Sequence, residues 1–127
     1  LHDWEKGEPV SLPIVEIRPR SSRSFDYHEK YDPDGAEELC PAPIPEAVEA
    51  EARRVGLAVH AILGLSGLSR TDLILDAQGL LHVLEVNTLP GMTERGLVPR
   101  AAGVEGWPFP ALIERLVRTA GLASGRR

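Results

Sequence analysis

Cysteine, lysine and long apolar runs are scarce in this sequence. The chain of 127 residues has one cysteine, so no disulfide can form within it, and a reducing compartment, the cytoplasm, is expected. No apolar run approaches the roughly 20 residues of a membrane span, so we expect no membrane partner. A net charge of −5 argues against a nucleic-acid partner. Only Lys6 and Lys30 are lysines, and this sparing use singles out Lys30 as a candidate for a specific task.

The composition favours one modest folded unit. Hydrophobic residues make up 43% of the chain and charged residues 26%, which is ordinary for a globular domain. The four histidines show no metal-ligand spacing, and we expect them at the surface or in packing: His2, His28, His60 and His82. The sequence begins with Leu1–Trp4 and not with an initiator methionine, and its first ten residues carry no signal peptide, so we interpret the chain as the carboxy-terminal piece of a longer protein.

The central stretch of the chain predicts a β-hairpin, within about 68–93. Residues 68–75 and 80–87 both read as strands, and residues 76–79 (DAQG) between them have hairpin chemistry. A loop of even length pairs Leu75 with Leu80. It then places Asp72 opposite Val83 and Arg70 opposite Glu85, and leaves Val83, Glu85 and Asn87 on one side of the second strand.

This register gathers Arg70, Asp72, Glu85 and Asn87 on one face of the hairpin. Two carboxylates on an otherwise apolar sheet repel each other unless a positive charge lies between them. Magnesium suits such oxygen ligands, because it keeps several waters and is commonly held by one or two carboxylates and nucleotide phosphates. The alternative is an exposed face on which Arg70 pairs with Glu85.

The sequence resembles the D-alanine:D-alanine ligases of the ATP-grasp superfamily. The resemblance is carried by residues 70–72 (RTD) together with Glu85–Thr93 (EVNTLPGMT), and it extends over about residues 12–117. It implies an α+β fold, the carboxy-terminal subdomain of an ATP-grasp domain, in which helices flank a mainly antiparallel sheet. The amino-terminal and central domains of the family are expected to be absent from residues 1–127.

The resemblance also implies roles for residues of the hairpin. Asp72, Glu85 and Asn87 would hold two Mg²⁺ ions, with Mn²⁺ as a substitute. Arg70 and the amide of Gly91 would stabilise the oxyanion of the tetrahedral intermediate, and Leu84, on the other side of its strand from Glu85, would contact adenine.

Residues 19–43 predict a long loop, because they show no helical or strand period and are rich in polar residues, Gly and Pro. The aromatic segment 25–31 (FDYHEKY) indicates that the loop folds onto something. An Ω-loop packed by its own aromatic residues is one interpretation. The resemblance implies another, an ω-loop that closes over ATP, with Lys30 reaching the phosphates and Tyr31 latching the loop.

The segments before and after the hairpin are predicted to be structural elements without a catalytic role. Leu12–Arg18 reads as a strand, 45–63 as a helix that Gly64 closes, and 108–120 as an amphipathic helix. The apolar stripe of the first helix is Val48, Ala52, Val55, Val59 and Ile62. That of the second is Phe109, Leu112, Ile113, Leu116, Val117 and Ala120.

One position departs from the family pattern. Gly96, followed by Leu97, stands where the family has a serine whose hydroxyl binds the carboxylate of the second D-alanine. The Gly96 amide, Lys30, Thr93 or Arg95 are candidates to compensate.

The resemblance implies ATP-dependent joining of two D-alanines through an acyl-phosphate, for peptidoglycan synthesis, by a homodimer. Gly96 keeps open a related ligase with D-lactate or D-serine as second substrate. A third hypothesis is a non-catalytic module that makes no dipeptide by itself.

Overall fold

A computed structural model describes residues 8–19 and 36–123 of the chain. Its elements, in order, are β1 (Glu16–Pro19), β2 (Ala36–Leu39), α1 (Glu46–Ile62), β3 (Arg70–Leu75), β4 (Leu81–Asn87), α2 (Leu97–Val104) and α3 (Phe109–Ala123). The strands form two antiparallel pairs, β1 with β2 and β3 with β4. This is the predicted α+β class. No helix in the described ranges is long and apolar enough to cross a membrane.

The core lies where α2 meets α3. Its buried side chains are Val98, Ala102 and Leu112, and partly buried apolar residues pack around them: Val10, Leu12, Leu68, Met92, Trp107 and Leu116. The guanidinium of Arg115 lies 4.1 Å from the centre of the Trp107 ring. Val117, predicted for the buried stripe of α3, is instead 66% exposed, since the core covers only part of that stripe.

Helix α1 begins and ends almost where the sequence predicts. Pro45 precedes its first turn, and Gly64 follows its end with a φ of +62°, the left-handed conformation that glycine adopts easily. Ala52 and His60 are its buried residues, whereas Ile62, predicted for the apolar stripe, is 82% exposed. The stripe prediction is therefore wrong at the end of α1, where the helix extends past its packing partners.

Strands β1 and β2 correct the predicted boundaries of the long loop. The predicted strand 12–18 is shorter and later, at Glu16–Pro19, and Ala36–Leu39, predicted as loop, is a strand. Pro19 pairs with Ala36, so the two residues that flank segment 20–35 lie side by side. Strand pairing decided these boundaries, because the short polar run AEEL shows no strand period of its own.

The hairpin of β3 and β4 forms as predicted, but its register differs. Arg70 lies opposite Asn87 and Asp72 opposite Glu85, whereas the even loop had placed Arg70 opposite Glu85. The pairing then shifts between Asp72 and Leu73, because Leu84 is an extra residue on β4, a β-bulge. Beyond it Leu73 pairs with Val83, so Val83 lies on the side of the hairpin opposite to Glu85, contrary to the prediction.

The loop between β3 and β4 consists of residues 76–80. Its length is odd and not even as predicted, because Leu80 belongs to the loop and not to β4. The Asp76 carboxylate accepts hydrogen bonds from the amides of Gln78 (2.9 Å) and Leu80 (2.8 Å), and Gly79 has a φ of +83°. His82 Nε2 donates to Asp76 Oδ2 at 2.7 Å. The His82 hydrogen bond, followed by those from the Leu80 and Gln78 amides, holds the pKa of Asp76 below its usual range.

We expect Asp76→Asn to lower the melting temperature of the protein in a pH-dependent way. A folded-state pKa below the unfolded one stabilises the fold above the ordinary aspartate pKa of about 4. This contribution is lost as the pH falls through the folded-state pKa. Thermal unfolding followed by circular dichroism should therefore show a difference between wild type and variant at about pH 6 that shrinks below about pH 4. An equal difference at every pH would contradict the assignment.

Candidate active site on the hairpin

One face of the hairpin collects the four polar side chains that the sequence singled out. Asp72 and Glu85 are directly opposite each other, as are Arg70 and Asn87, and each pair is two positions from the other along its strand. Opposite residues of antiparallel strands have Cβ atoms about 4.5–5.5 Å apart and point to the same side. The predicted grouping on one face is therefore confirmed, although the register that led to it was wrong.

Arg70 pairs with Asp72 through two parallel hydrogen bonds. Its Nε donates to Asp72 Oδ1 at 2.7 Å and its Nη2 to Asp72 Oδ2 at 2.9 Å. Both side chains are about a quarter exposed. This two-point geometry orients the guanidinium more strictly than a single contact can.

The oxygen atoms of this face fit a hard cation. The carboxylate of Asp72 keeps lone pairs after binding Arg70, and Asn87 Oδ1 keeps one after accepting the Leu89 amide at 2.8 Å. Glu85 is exposed at the surface of the hairpin. Among residues 8–19 and 36–123, no group of three His, Cys, Asp or Glu side chains could hold a metal. Two carboxylates with one amide suit Mg²⁺, which completes its octahedron with waters and phosphates.

Leu84 is the bulged residue of β4, and it has no partner on β3. A bulge breaks strict alternation, so the predicted position of Leu84 on the side away from Glu85 does not follow from the strand period. Its side chain is 59% exposed.

Gly91 lies in the loop that leaves the hairpin. Its φ is not positive, and nothing lies within 4 Å of the position that a Cβ would take. The fold itself therefore does not require glycine here, whereas close approach of a ligand to the backbone would. A hollow of about 320 Å³ beside this loop has no charged lining residue; it is lined by Ser66, Leu68, Thr88, Leu89, Pro90, Met92 and Leu116.

Gly96 and Leu97 stand at the start of α2. The Gly96 amide donates to Thr93 O at 2.8 Å, so this donor is already used in the turn. A Cβ at Gly96 would lie 3.1 Å from Thr93 O, 3.3 Å from Gly91 O and 3.3 Å from Thr93 Oγ1. The Thr93 hydroxyl therefore occupies the space beside the position where a serine side chain would begin.

Lys30 and Tyr31 lie outside the described residues. The strand β2 that follows them is attached to α2, because Arg100 Nη1 donates to Glu38 O at 2.8 Å and Nη2 lies 3.1 Å from Glu38 Oε2.

Burial raises the pKa of the neighbouring Cys40 thiol, which favours its protonated, unreactive form.

His60 is buried and bonded beside the hairpin, which its place in the sequence does not indicate. It is 4% exposed, and its Nδ1 is hydrogen-bonded to Ser69 Oγ at 2.8 Å. A histidine followed nine residues later by a serine is no recognisable pattern. Only a turn that brings the end of α1 beside β3 makes them partners.

Comparison with known proteins identifies the chain's relatives. Residues 4–118 match the family model "D-ala D-ala ligase C-terminus". The D-alanine--D-alanine ligase of Nitratidesulfovibrio vulgaris is 53% identical over 117 residues, which cover 92% of this chain and 39% of that protein. The chain thus spans well under half the length of this relative.

Two solved structures are also similar. The D-alanine--D-alanine ligase from Bacillus anthracis complexed with ATP superposes with a TM-score of 0.72 at 32% identity, over 88% of this chain and 36% of that one. The VanG D-Ala:D-Ser ligase from Enterococcus faecalis superposes with a TM-score of 0.66 at 31% identity, over 81% of this chain and 29% of that one.

Proposed function

Because this chain belongs to the D-alanine–D-alanine ligase carboxy-terminal family, we propose that it supplies the metal and oxyanion-binding part of a ligase that joins two D-alanines with ATP. The observation that carries the proposal is the face on which Asp72 and Glu85 lie opposite each other beside Arg70 and Asn87. In this ligase the carboxylate of the first D-alanine attacks the γ-phosphate of ATP, giving an acyl-phosphate and ADP. The amine of the second D-alanine then displaces phosphate, giving the dipeptide used in peptidoglycan synthesis.

The residues of the hairpin have complementary tasks in this proposal. Asp72, Glu85 and Asn87 hold two Mg²⁺ ions, which neutralise charge on the phosphates of bound ATP. Arg70, oriented by Asp72, donates to the transferring phosphoryl group and then to the oxyanion. The amide of Gly91 is the second oxyanion donor, which the open space around Gly91 supports.

The remaining roles come from the family. Leu84 contributes apolar contact to adenine, Leu97 lies beside the second substrate, and Lys30 and Tyr31 close an ω-loop over ATP. Closure of such a loop excludes the water that would hydrolyse the acyl-phosphate. We place the ligase in the cytoplasm and expect a homodimer.

We expect the isolated 127 residues to make no dipeptide. The proposed reaction needs substrate and nucleotide contacts from the part of the relatives that this chain does not match. The test is a chimera in which this chain replaces the matching segment of the Nitratidesulfovibrio vulgaris ligase. Dipeptide formation and phosphate release from ATP and D-alanine should appear with the chimera and not with the chain alone. A folded but inactive chimera would contradict the proposed function.

Gly96 favours a second candidate, a ligase whose second substrate is D-serine or D-lactate. Phosphate release by the chimera with D-alanine alone, compared with D-alanine plus either alternative, separates the two candidates. A strong preference for an alternative second substrate would replace the D-alanine proposal.

For a D-alanine ligase, we expect Gly96→Ser to lower the KM for the second D-alanine by about tenfold, with little change in kcat. A hydrogen bond to a carboxylate is worth about 1.5–3 kcal/mol. The 3.1 Å approach of the new Cβ to Thr93 O offsets part of this gain. Gly96→Ala is the control, because it adds the same Cβ without the hydroxyl. An equal effect of both substitutions would show that the hydroxyl binds nothing.

A further inference from the structure

We propose that His60 is a positioning residue for Arg70, acting through its hydrogen bond to Ser69. The inference rests on the proposed function, because it concerns the geometry of the phosphoryl and oxyanion donor. His60 is 4% exposed, and the 2.8 Å contact from its Nδ1 to Ser69 Oγ joins α1 to the residue immediately before Arg70.

The connection between α1 and β3 needs such an attachment. Residues 63–69 contain two glycines in the left-handed conformation, Gly64 with a φ of +62° and Gly67 with a φ of +72°. Glycine leaves the backbone more freedom than other residues, so these positions do not fix the path of the connection by themselves. His60 secures it at two points, because its carbonyl oxygen also accepts the amide of Leu65 at 3.0 Å.

The attachment lies at the entry to β3. Ser69 immediately precedes the first residue of the strand, and its hydroxyl is held by His60. Arg70 is the first residue of β3, and its strand partner Asn87 is the last of β4. The end of a two-stranded ribbon frays most easily. Leu68 packs against the core and Ser69 binds His60, and together they hold this end so that Arg70 keeps its place.

The alternatives for His60 are weaker. Any buried imidazole needs a hydrogen-bond partner. Here the partner is the residue next to Arg70, so the bond joins α1 to the site end of β3 in addition to satisfying the ring. A direct catalytic role does not fit either, because His60 is only 4% exposed and so has almost no surface for a substrate to reach.

The test uses the active chimera carrying His60→Ala, Ser69→Ala or both. We expect each single substitution to lower kcat about tenfold with the KM values for ATP and D-alanine nearly unchanged, because misplacing a group by a fraction of an ångström is costly in the transition state. The double variant should be no slower than either single variant, since all three remove one hydrogen bond. His60→Asn, whose amide can reach Ser69, should restore most of the kcat.

Thr119→Val is the matched control for lost stability. Thr119 is buried, and its hydroxyl donates to Arg115 O at 2.8 Å within α3, so the substitution removes a buried hydrogen bond outside the hairpin. We expect this variant to have a lower melting temperature and an unchanged kcat. If His60→Ala does not fold, Ser69→Ala and His60→Asn decide the question.

An unchanged kcat in Ser69→Ala would overturn the inference. So would a double variant whose fold-decrease in kcat equals the product of the fold-decreases of the two single variants. An inactive parent chimera would instead count against the proposed function, so the two failures are distinguishable.

Discussion

Glu85→Gln in the chimera should lower kcat/KM for dipeptide formation by about 100-fold or more. Glu85 lies opposite Asp72, and the substitution leaves one carboxylate where two faced each other. Metal-ion stabilisation of a phosphoryl group is worth several kcal/mol. Each step of about 1.4 kcal/mol is a factor of ten in rate.

Binding of Mn²⁺ in the presence of ATP, measured by electron paramagnetic resonance, gives a readout independent of turnover. We expect Glu85→Gln to weaken it and Asp76→Asn to leave it unchanged. Asp76→Asn is matched because it removes one negative charge from the same hairpin, at the turn and away from the site. Full Mn²⁺ binding and activity in Glu85→Gln would remove the basis for a metal site on this face.

Arg70→Lys should lower kcat by about 10² to 10³-fold while the KM for ATP changes little. Lysine keeps the positive charge but cannot make the two parallel hydrogen bonds by which Asp72 orients Arg70. A donor lost from an oxyanion site typically costs this much in the transition state. The loss should therefore fall on kcat, which steady-state kinetics of the chimera measures directly.

Arg54→Lys is the matched control for this substitution. Arg54 binds Glu51 in the same two-point manner, with Nε to Oε2 at 2.8 Å and Nη2 to Oε1 at 2.6 Å, on the exposed side of α1. We expect no change in kcat, because exposed ion pairs contribute little. If Arg70→Lys were as active as Arg54→Lys, a positive charge alone would account for the contribution of Arg70 to kcat.

The hairpin shows how far a sequence pattern can place a site. Alternation along β3 put Arg70 and Asp72 on one side, and the spacing of Glu85 and Asn87 put them together on β4. This grouping was correct although the predicted register was not, because Glu85 and Asn87 share a side of β4 in either register. The prediction put Val83 on the same side of β4 as Glu85, and this was wrong. A bulge arises from how the two strands pair, so the period of one strand does not reveal it.

Period, turn chemistry and motif were enough to predict helix α1 with its glycine end, the hairpin and the shared face of its four polar side chains, because these are local properties of the chain. The α+β class came from the family resemblance. Other features could be read only from the folded chain: the β1–β2 pairing, helix α2, the bulge at Leu84, the bonding of Asp72 to Arg70 and the burial of His60 against Ser69. Each of these depends on which distant residues meet, and packing rather than local preference settles that.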